Sequence, residues 1–219
     1  LQEGAQAATR NIHLFRHNLV DHAREKLVAI RASDAENGIL LVTESLFSMD
    51  SDTPDIRALQ DLAHEYGATL LVDVAHDLGN LGPTGRGHIE MQNMLGQVDV
   101  VMGSFSKTFA SNGGFVAARG RAIKEYMRYY SSPNTFSNAL SPASAAIVGK
   151  AFDIVSSAEG SVLRGKLMHN IEMLRKMLRG CGMETYGDPS AIVCVKMGTE
   201  ALARLVSRRL PSLGMLANL

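Results

Sequence analysis

Short apolar runs alternate with amphipathic stretches along most of this chain. Ile39 to Thr43, Thr69 to Val72, Val98 to Met102 and Phe115 to Ala118 are close to continuously apolar. Runs of this length predict strands buried on both faces, as in a parallel sheet, since half-exposed strands alternate. Asp21 is placed to cap a helix through about Ile30. Pro54 stands at the start of a helix that runs to Tyr66 and ends at Gly67. Residues 1–10 read as the end of a helix and Ile12 to Phe15 as a short strand. Pro142 opens a long helical stretch to about Arg179, followed by a strand at Ile192 to Lys196 and a helix from Glu200. The alternation predicts an α/β fold, a mostly parallel sheet with helices on both faces. In such sheets, ligands bind at the carboxyl ends of the strands.

Composition narrows the function classes. The chain has 219 residues, a formal net charge of zero and no run of like charge. That excludes a nucleic-acid binder working through a basic field. The two cysteines, Cys181 and Cys194, have no metal-ligand spacing and suit a reducing compartment. No histidine pair at i, i+4 spacing encloses a glutamate, as a helical metal site would, and no apolar stretch reaches bilayer length. The expectation is a cytoplasmic protein with no transmembrane segment and no metal.

The candidate chemistry collects around Lys107. It lies in G-S-F-S-K-T-F (103–109), between the apolar run ending at Met102 and Gly113-Gly114 with a second run behind it. A lysine held between two buried strands is expected to be poorly solvated, which lowers its pKa and makes the amine nucleophilic. Ser104 and Ser106 flank it with hydroxyls of the kind that hold a phosphate. Asp73 and His76, in L-V-D-V-A-H (71–76), end another predicted strand. A lysine, a carboxylate, an imidazole and hydroxyls are the groups a pyridoxal 5'-phosphate (PLP) site uses. Ser104 to Lys107 also spells S-x-x-K, but the S-D-N and K-T-G partners of that hydrolase signature are absent.

Four ordered motifs carry a resemblance: E-S-L-F-S-M-D-S-D (44–52), L-V-D-V-A-H (71–76), G-P-T-G-R-G (82–87) and G-S-F-S-K (103–107). Together they resemble the α-oxoamine synthases, fold-type I PLP-dependent acyltransferases, with G-S-F-S-K and G-G-F-V-A most similar to the bacterial serine palmitoyltransferases. The resemblance implies that Lys107 forms the Schiff base with PLP. It implies that Asp73 pairs with the ring nitrogen, and that His76 lies by the ring and handles the incoming carbonyl. Ser104 and Ser106 would take the phosphate, and Ser48 would contact the cofactor near its ring hydroxyl. Ser137 would reach the phosphate of the other subunit in a homodimer with shared sites. The implied substrates are an amino acid and an acyl thioester, on coenzyme A or a carrier protein, condensed with loss of carbon dioxide. The rivals are another fold-type I enzyme, such as an aminotransferase, and a non-enzymatic partner subunit, although such subunits typically lose the lysine.

Family members usually read D-E-A-H where this chain has Val74 in place of the glutamate. The resemblance also implies segments on both sides of this chain: a stacking histidine and a phosphate turn upstream, and more of a small domain downstream. On that reading, residues 1–145 are the C-terminal portion of a large PLP-binding domain. Residues 146–219 are a long connecting helix and an incomplete small α+β domain.

Overall fold

The computed structural model describes residues 1–218. Helix α1 (Gln2–Ala8) and an irregular segment lead into α2 (Val20–Ser33), β1 (Ile39–Glu44), α3 (Ile56–Glu65) and β2 (Ala68–Asp73). Helix α4 (Gly87–Met91), β3 (Val100–Ser104) and β4 (Gly114–Ala118) follow, then α5 (Arg121–Tyr130) and the short α6 (Ser132–Thr135). The remainder holds α7 (Pro142–Val155), α8 (Ala158–Gly180), β5 (Thr185–Tyr186), β6 (Cys194–Val195) and α9 (Glu200–Arg209).

The main sheet has the order β1-β2-β3-β4, with β1, β2 and β3 parallel and β4 antiparallel at the edge. The three parallel strands therefore end on one rim, and the antiparallel β4 starts there. Glu44 pairs with Asp73 and Asp73 with Met102 in the register, so the last residues of β1 and β2 stand side by side. One face of the sheet is closed by α2, α3 and α4. Leu27, Leu59, Leu62, Leu70, Val72 and Ile89 meet there in the main core. A smaller cluster of Phe105, Phe109 and Val148 forms where α7 packs against the turn after β3.

Several elements differ from the sequence expectation. The strands alternate between buried and half-exposed positions instead of being buried on both faces, and Leu40 is 55 % exposed. Ile12 to Phe15 is not a strand. Phe15 packs partly buried against the core while Leu14 faces out, and no strand among the described residues pairs with the segment. Asp21 caps nothing: Leu19 is the N-cap, and Asp21 lies in the first turn, where its charge favours the helix N-terminus. The helix after Pro54 begins at Ile56, because the Asp55 carboxylate accepts from the Ala58 N–H at 2.9 Å. The long helix after Pro142 is two helices. Ser157 breaks it, donating to the Ile154 carbonyl at 2.7 Å and accepting from the Gly160 N–H at 3.3 Å, as an N-cap does. The strand expected at Ile192 to Lys196 shrinks to two residues.

Asp99, at the entrance to β3, ties the layers together. Its carboxylate accepts from Gln60 Nε2 at 2.8 Å and from the Leu70 N–H at 3.0 Å, and lies 3.0 Å from His64 Nε2. Burial alone would raise its pKa, but these three donors outweigh it and hold the carboxylate below its ordinary value. A depressed folded-state pKa stabilises above the unfolded value, about 3.9, and that stability is lost as pH falls through the folded value. Asp99→Asn is expected to lower unfolding free energy at neutral pH by about 1–3 kcal/mol, the scale of hydrogen bonds to a charged group. It should also flatten the loss of stability below about pH 4. An unchanged urea midpoint at pH 7 would contradict this.

Candidate active site

The rim at the ends of β1, β2 and β3 carries the charged groups. Asp73, the last residue of β2, is partly exposed; its Oδ1 accepts from the Ala75 N–H at 2.9 Å. Glu44 stands beside it on β1. Its pKa is raised by burial and then by the Asp73 charge, while Lys107 pulls the other way. His76 is half-buried. Burial and then the Lys107 charge lower its pKa, against the opposing pull of Asp73 and Asp77, so the imidazole favours the neutral form near pH 7. Glu44 and Asp73 are register partners at the strand ends, and Lys107 lies close enough for its charge to act on Glu44 and His76.

Lys107 itself corrects an expectation. Its side chain is exposed, not desolvated between buried strands. β4 is an edge strand with three of its five positions exposed, and the lysine rides on a turn above it. The residues on either side are what is buried. Phe105 and Phe109 are 8 % and 1 % exposed, with ring centroids 5.6 Å apart, edge to face. The turn closes with the Ala110 N–H donating to the Lys107 carbonyl at 3.0 Å, and Ala110 takes φ of 49°. Ser104 ends β3. Its Oγ lies 2.7 Å from Ser106 Oγ and accepts from the Ser106 N–H at 3.2 Å, so two hydroxyls and a backbone donor converge beside the lysine.

The structure thus brings Asp73, His76, Ser104, Ser106 and Lys107 to one rim. Ser48 is exposed in the loop after β1, and its backbone N–H is within reach of Glu44. Ser137 stands apart, exposed beyond α6, with its hydroxyl donating to the Pro133 carbonyl. Val74 is 2 % exposed within the main core, so an apolar residue in that position packs under the rim and does not face it. The fold also gathers His17, Asp50 and Asp52 at the surface, a group with no regular sequence spacing.

Sequence reasoning missed Asp77. Its carboxylate, with no solvent exposure, accepts from Ser45 Oγ at 2.7 Å and from the His88 N–H and Nδ1 at 2.7 and 2.9 Å. Ser45 in turn reaches the Asp73 carbonyl through its N–H at 2.8 Å. One buried group therefore links the ends of β1 and β2 to the G-P-T-G-R-G loop. Nothing in the sequence pairs residues so far apart, although a second acid directly after D-x-A-H was visible.

The donor set suits PLP: a partly free carboxylate, a neutral imidazole, a primary amine and a hydroxyl pair with a backbone N–H. The fold is that of the fold-type I PLP-dependent transferases. The aminotransferase class I and II description matches residues 1–212. The chain is 36 % identical over 194 residues to 5-aminolevulinate synthase of Paracoccus denitrificans, covering 89 % of this chain and 46 % of that protein. It is 30 % identical over 214 residues to 2-amino-3-ketobutyrate coenzyme A ligase of Escherichia coli, covering 97 % and 53 %. A solved S. paucimobilis serine palmitoyltransferase variant, with a bound PLP–myriocin aldimine, superposes with a TM-score of 0.90 at 30 % identity. It covers 100 % of this chain and 55 % of that one. The chain belongs to the aminotransferase class I and II family, and its relatives are α-oxoamine synthases. It spans about half the length of these relatives.

Gly87 makes the Asp77 clamp possible. It takes φ of 67°, and a Cβ there would run into the Asp77 carboxyl group. Gly87→Ala is therefore expected to lower stability by roughly 2 kcal/mol or more, by backbone strain and displacement of a buried carboxylate. Chemical denaturation checks this. A variant as stable as the parent would mean that the clamp is slack.

Proposed function

We propose that this chain forms the PLP-binding core of an enzyme that condenses an amino acid with an acyl thioester, on coenzyme A or a carrier protein, releasing carbon dioxide and an α-aminoketone. The observation that carries the reading is the convergence of Lys107, Asp73 and His76 with the Ser104–Ser106 hydroxyl pair on one strand rim. Family membership and relatives such as 5-aminolevulinate synthase support the reaction type. In this reading Lys107 holds the cofactor covalently, Asp73 faces the ring nitrogen, and Ser48, Ser104 and Ser106 bind around the ring and phosphate. When bound, PLP supplies an electron sink for an α-carbanion. Asp73 keeps the ring nitrogen protonated. His76, neutral at pH 7, hydrogen-bonds the thioester carbonyl or takes a proton at the α-carbon.

Residues 1–145 act on this reading as part of the large cofactor-binding domain, and 146–219 as connecting helices with part of a small domain. A homodimer is the favoured assembly. Tyr126, Tyr129, Tyr130 and Phe136 form an exposed aromatic strip, with Phe136 86 % exposed, next to Ser137, the candidate shared residue. The unpaired thiols of Cys181 and Cys194 favour a reducing, cytoplasmic location. No helix among the described residues is long and apolar enough to cross a membrane.

The test is to incubate the intact native protein with PLP, single amino acids and acyl thioesters. Release of free thiol and carbon dioxide, strictly dependent on one amino acid, is expected. Turnover that needs a keto acid and no thioester would make it an aminotransferase. Asp73→Asn keeps the shape and removes the charge, and kcat is expected to fall about 10²–10³-fold, the scale of a lost electrostatic stabiliser. Near-normal kcat would contradict the Asp73 role. The pH profile of kcat/KM should keep its plateau to below the usual histidine range, about 6.5, and fall only as pH drops through the lowered His76 value. A limb lying above the usual range, or one unmoved by His76→Asn, would remove His76 from the mechanism.

A further inference from the structure

Lys107 makes no side-chain hydrogen bond or ion pair among the described residues, and its side chain is exposed. Its position must therefore come from its backbone neighbours. The two phenylalanines hold the turn from below. Sideways, Leu78 packs against the phenylalanine cluster, and the hydrogen bond that joins the turn to the His76 segment is made by Asn80 and Thr108. Asn80 Nδ2 donates to the His76 carbonyl at 2.9 Å and to Thr108 Oγ1 at 3.1 Å. A carbonyl only accepts, so the His76 bond fixes which end of the amide points this way. Asn80 Oδ1 is left buried without a partner. A buried acceptor in that state is costly, and the geometry tolerates it while keeping the donor end in place.

The other end of Thr108 is seated as well. Gly79 takes φ of 89°, and a Cβ there would come within 2.6 Å of Thr108 Cγ2. Glycine at 79 thus lets the threonine methyl rest on the backbone while its hydroxyl accepts from Asn80. Gly79 is itself anchored, its N–H donating to the Gly85 carbonyl at 2.6 Å. One short stretch, residues 76–80, is therefore bonded to His76 at one end and to the neighbour of Lys107 at the other.

We propose that Asn80 and Thr108 are positioning residues: their hydrogen bond locks the Lys107 turn to the His76 strand end and fixes the separation of the two reactive side chains. This rests on the functional reading of Lys107 and His76 given above. Neither Asn80 nor Thr108 touches the reacting atoms in this scheme. They act through the backbone of His76 and of the lysine turn. Since misplacement of reacting groups is expensive, loss of the bond should appear in kcat and not in amino-acid KM.

The experiment is a double-mutant cycle in the intact native protein. Thr108→Val keeps the methyl on Gly79 and removes the hydroxyl, Asn80→Ala removes the amide, and Thr108→Ser keeps the hydroxyl. Two readouts are taken: hydrogen exchange of the hydrogen-bonded Phe105, Ala110 and Ser111 amides of the turn in the cofactor-free protein, and kcat with KM in the PLP-loaded protein. Asn80→Ala and Thr108→Val should each speed exchange about three- to tenfold and lower kcat by a similar factor, the scale of one net hydrogen bond. The double variant should be no worse than Asn80→Ala, which also loses the bond to the His76 carbonyl, and Thr108→Ser should stay near the parent. Multiplicative effects in the double variant, or a Thr108→Val protein indistinguishable from the parent, would overturn the proposal. The PLP-bearing lysine is mapped in the same preparations. A lysine other than Lys107 would overturn the functional reading and this proposal with it, whereas Lys107 with multiplicative effects would overturn the proposal alone.

Discussion

Asp77 carries a carboxylate with no solvent exposure, and such a group is stable only when donors surround it. Here the donors come from Ser45 and from both the backbone and the ring of His88. Meeting that demand pulls together the end of β1, the stretch after β2 and the glycine loop at 82–87. The rest of the rim inherits its geometry from this. Asp73 is held through its own carbonyl by Ser45, and His76 sits one residue before the clamp. Removing Ser45 or His88 would leave a fully buried carboxyl group with fewer hydrogen bonds, which is costly. A rim that must hold reacting groups in fixed positions gains from such rigidity.

Above the clamp, ionisation differs from residue to residue for identifiable reasons. Burial and the neighbouring Asp73 charge press Glu44 toward the protonated form. Burial and the Lys107 charge press His76 toward the neutral form. Lys107, placed on an exposed turn, owes its location to the buried phenylalanines on either side of it. The rim therefore carries a solvent-facing amine and a half-buried imidazole, and the sheet register sets the two strand-end carboxylates side by side.

Much of this was legible in the chain. β1, β2 and β3 follow from apolar runs, and Asp73 and Ser104 fall at strand ends where an open parallel sheet places ligands. What escaped was set by tertiary context. The S-x-x-K turn reads as enclosed because apolar runs flank it, yet β4 is an edge strand and leaves the lysine exposed. Ile12 to Phe15 has strand composition and no strand beside it. Ser157 looks like one more polar residue in a long amphipathic stretch, and only its capping bonds reveal the break between α7 and α8. Asp77 and His88 are 11 residues apart, and nothing local announces that they meet.

The central claim is that Lys107 is the lysine that carries PLP. Borohydride reduction of the PLP-loaded intact protein, followed by peptide mapping, tests it most directly. The account predicts a single pyridoxyl group, on Lys107, and its loss in Lys107→Ala. A pyridoxyl group on Lys124 or Lys150, or no reducible cofactor at all, would contradict it.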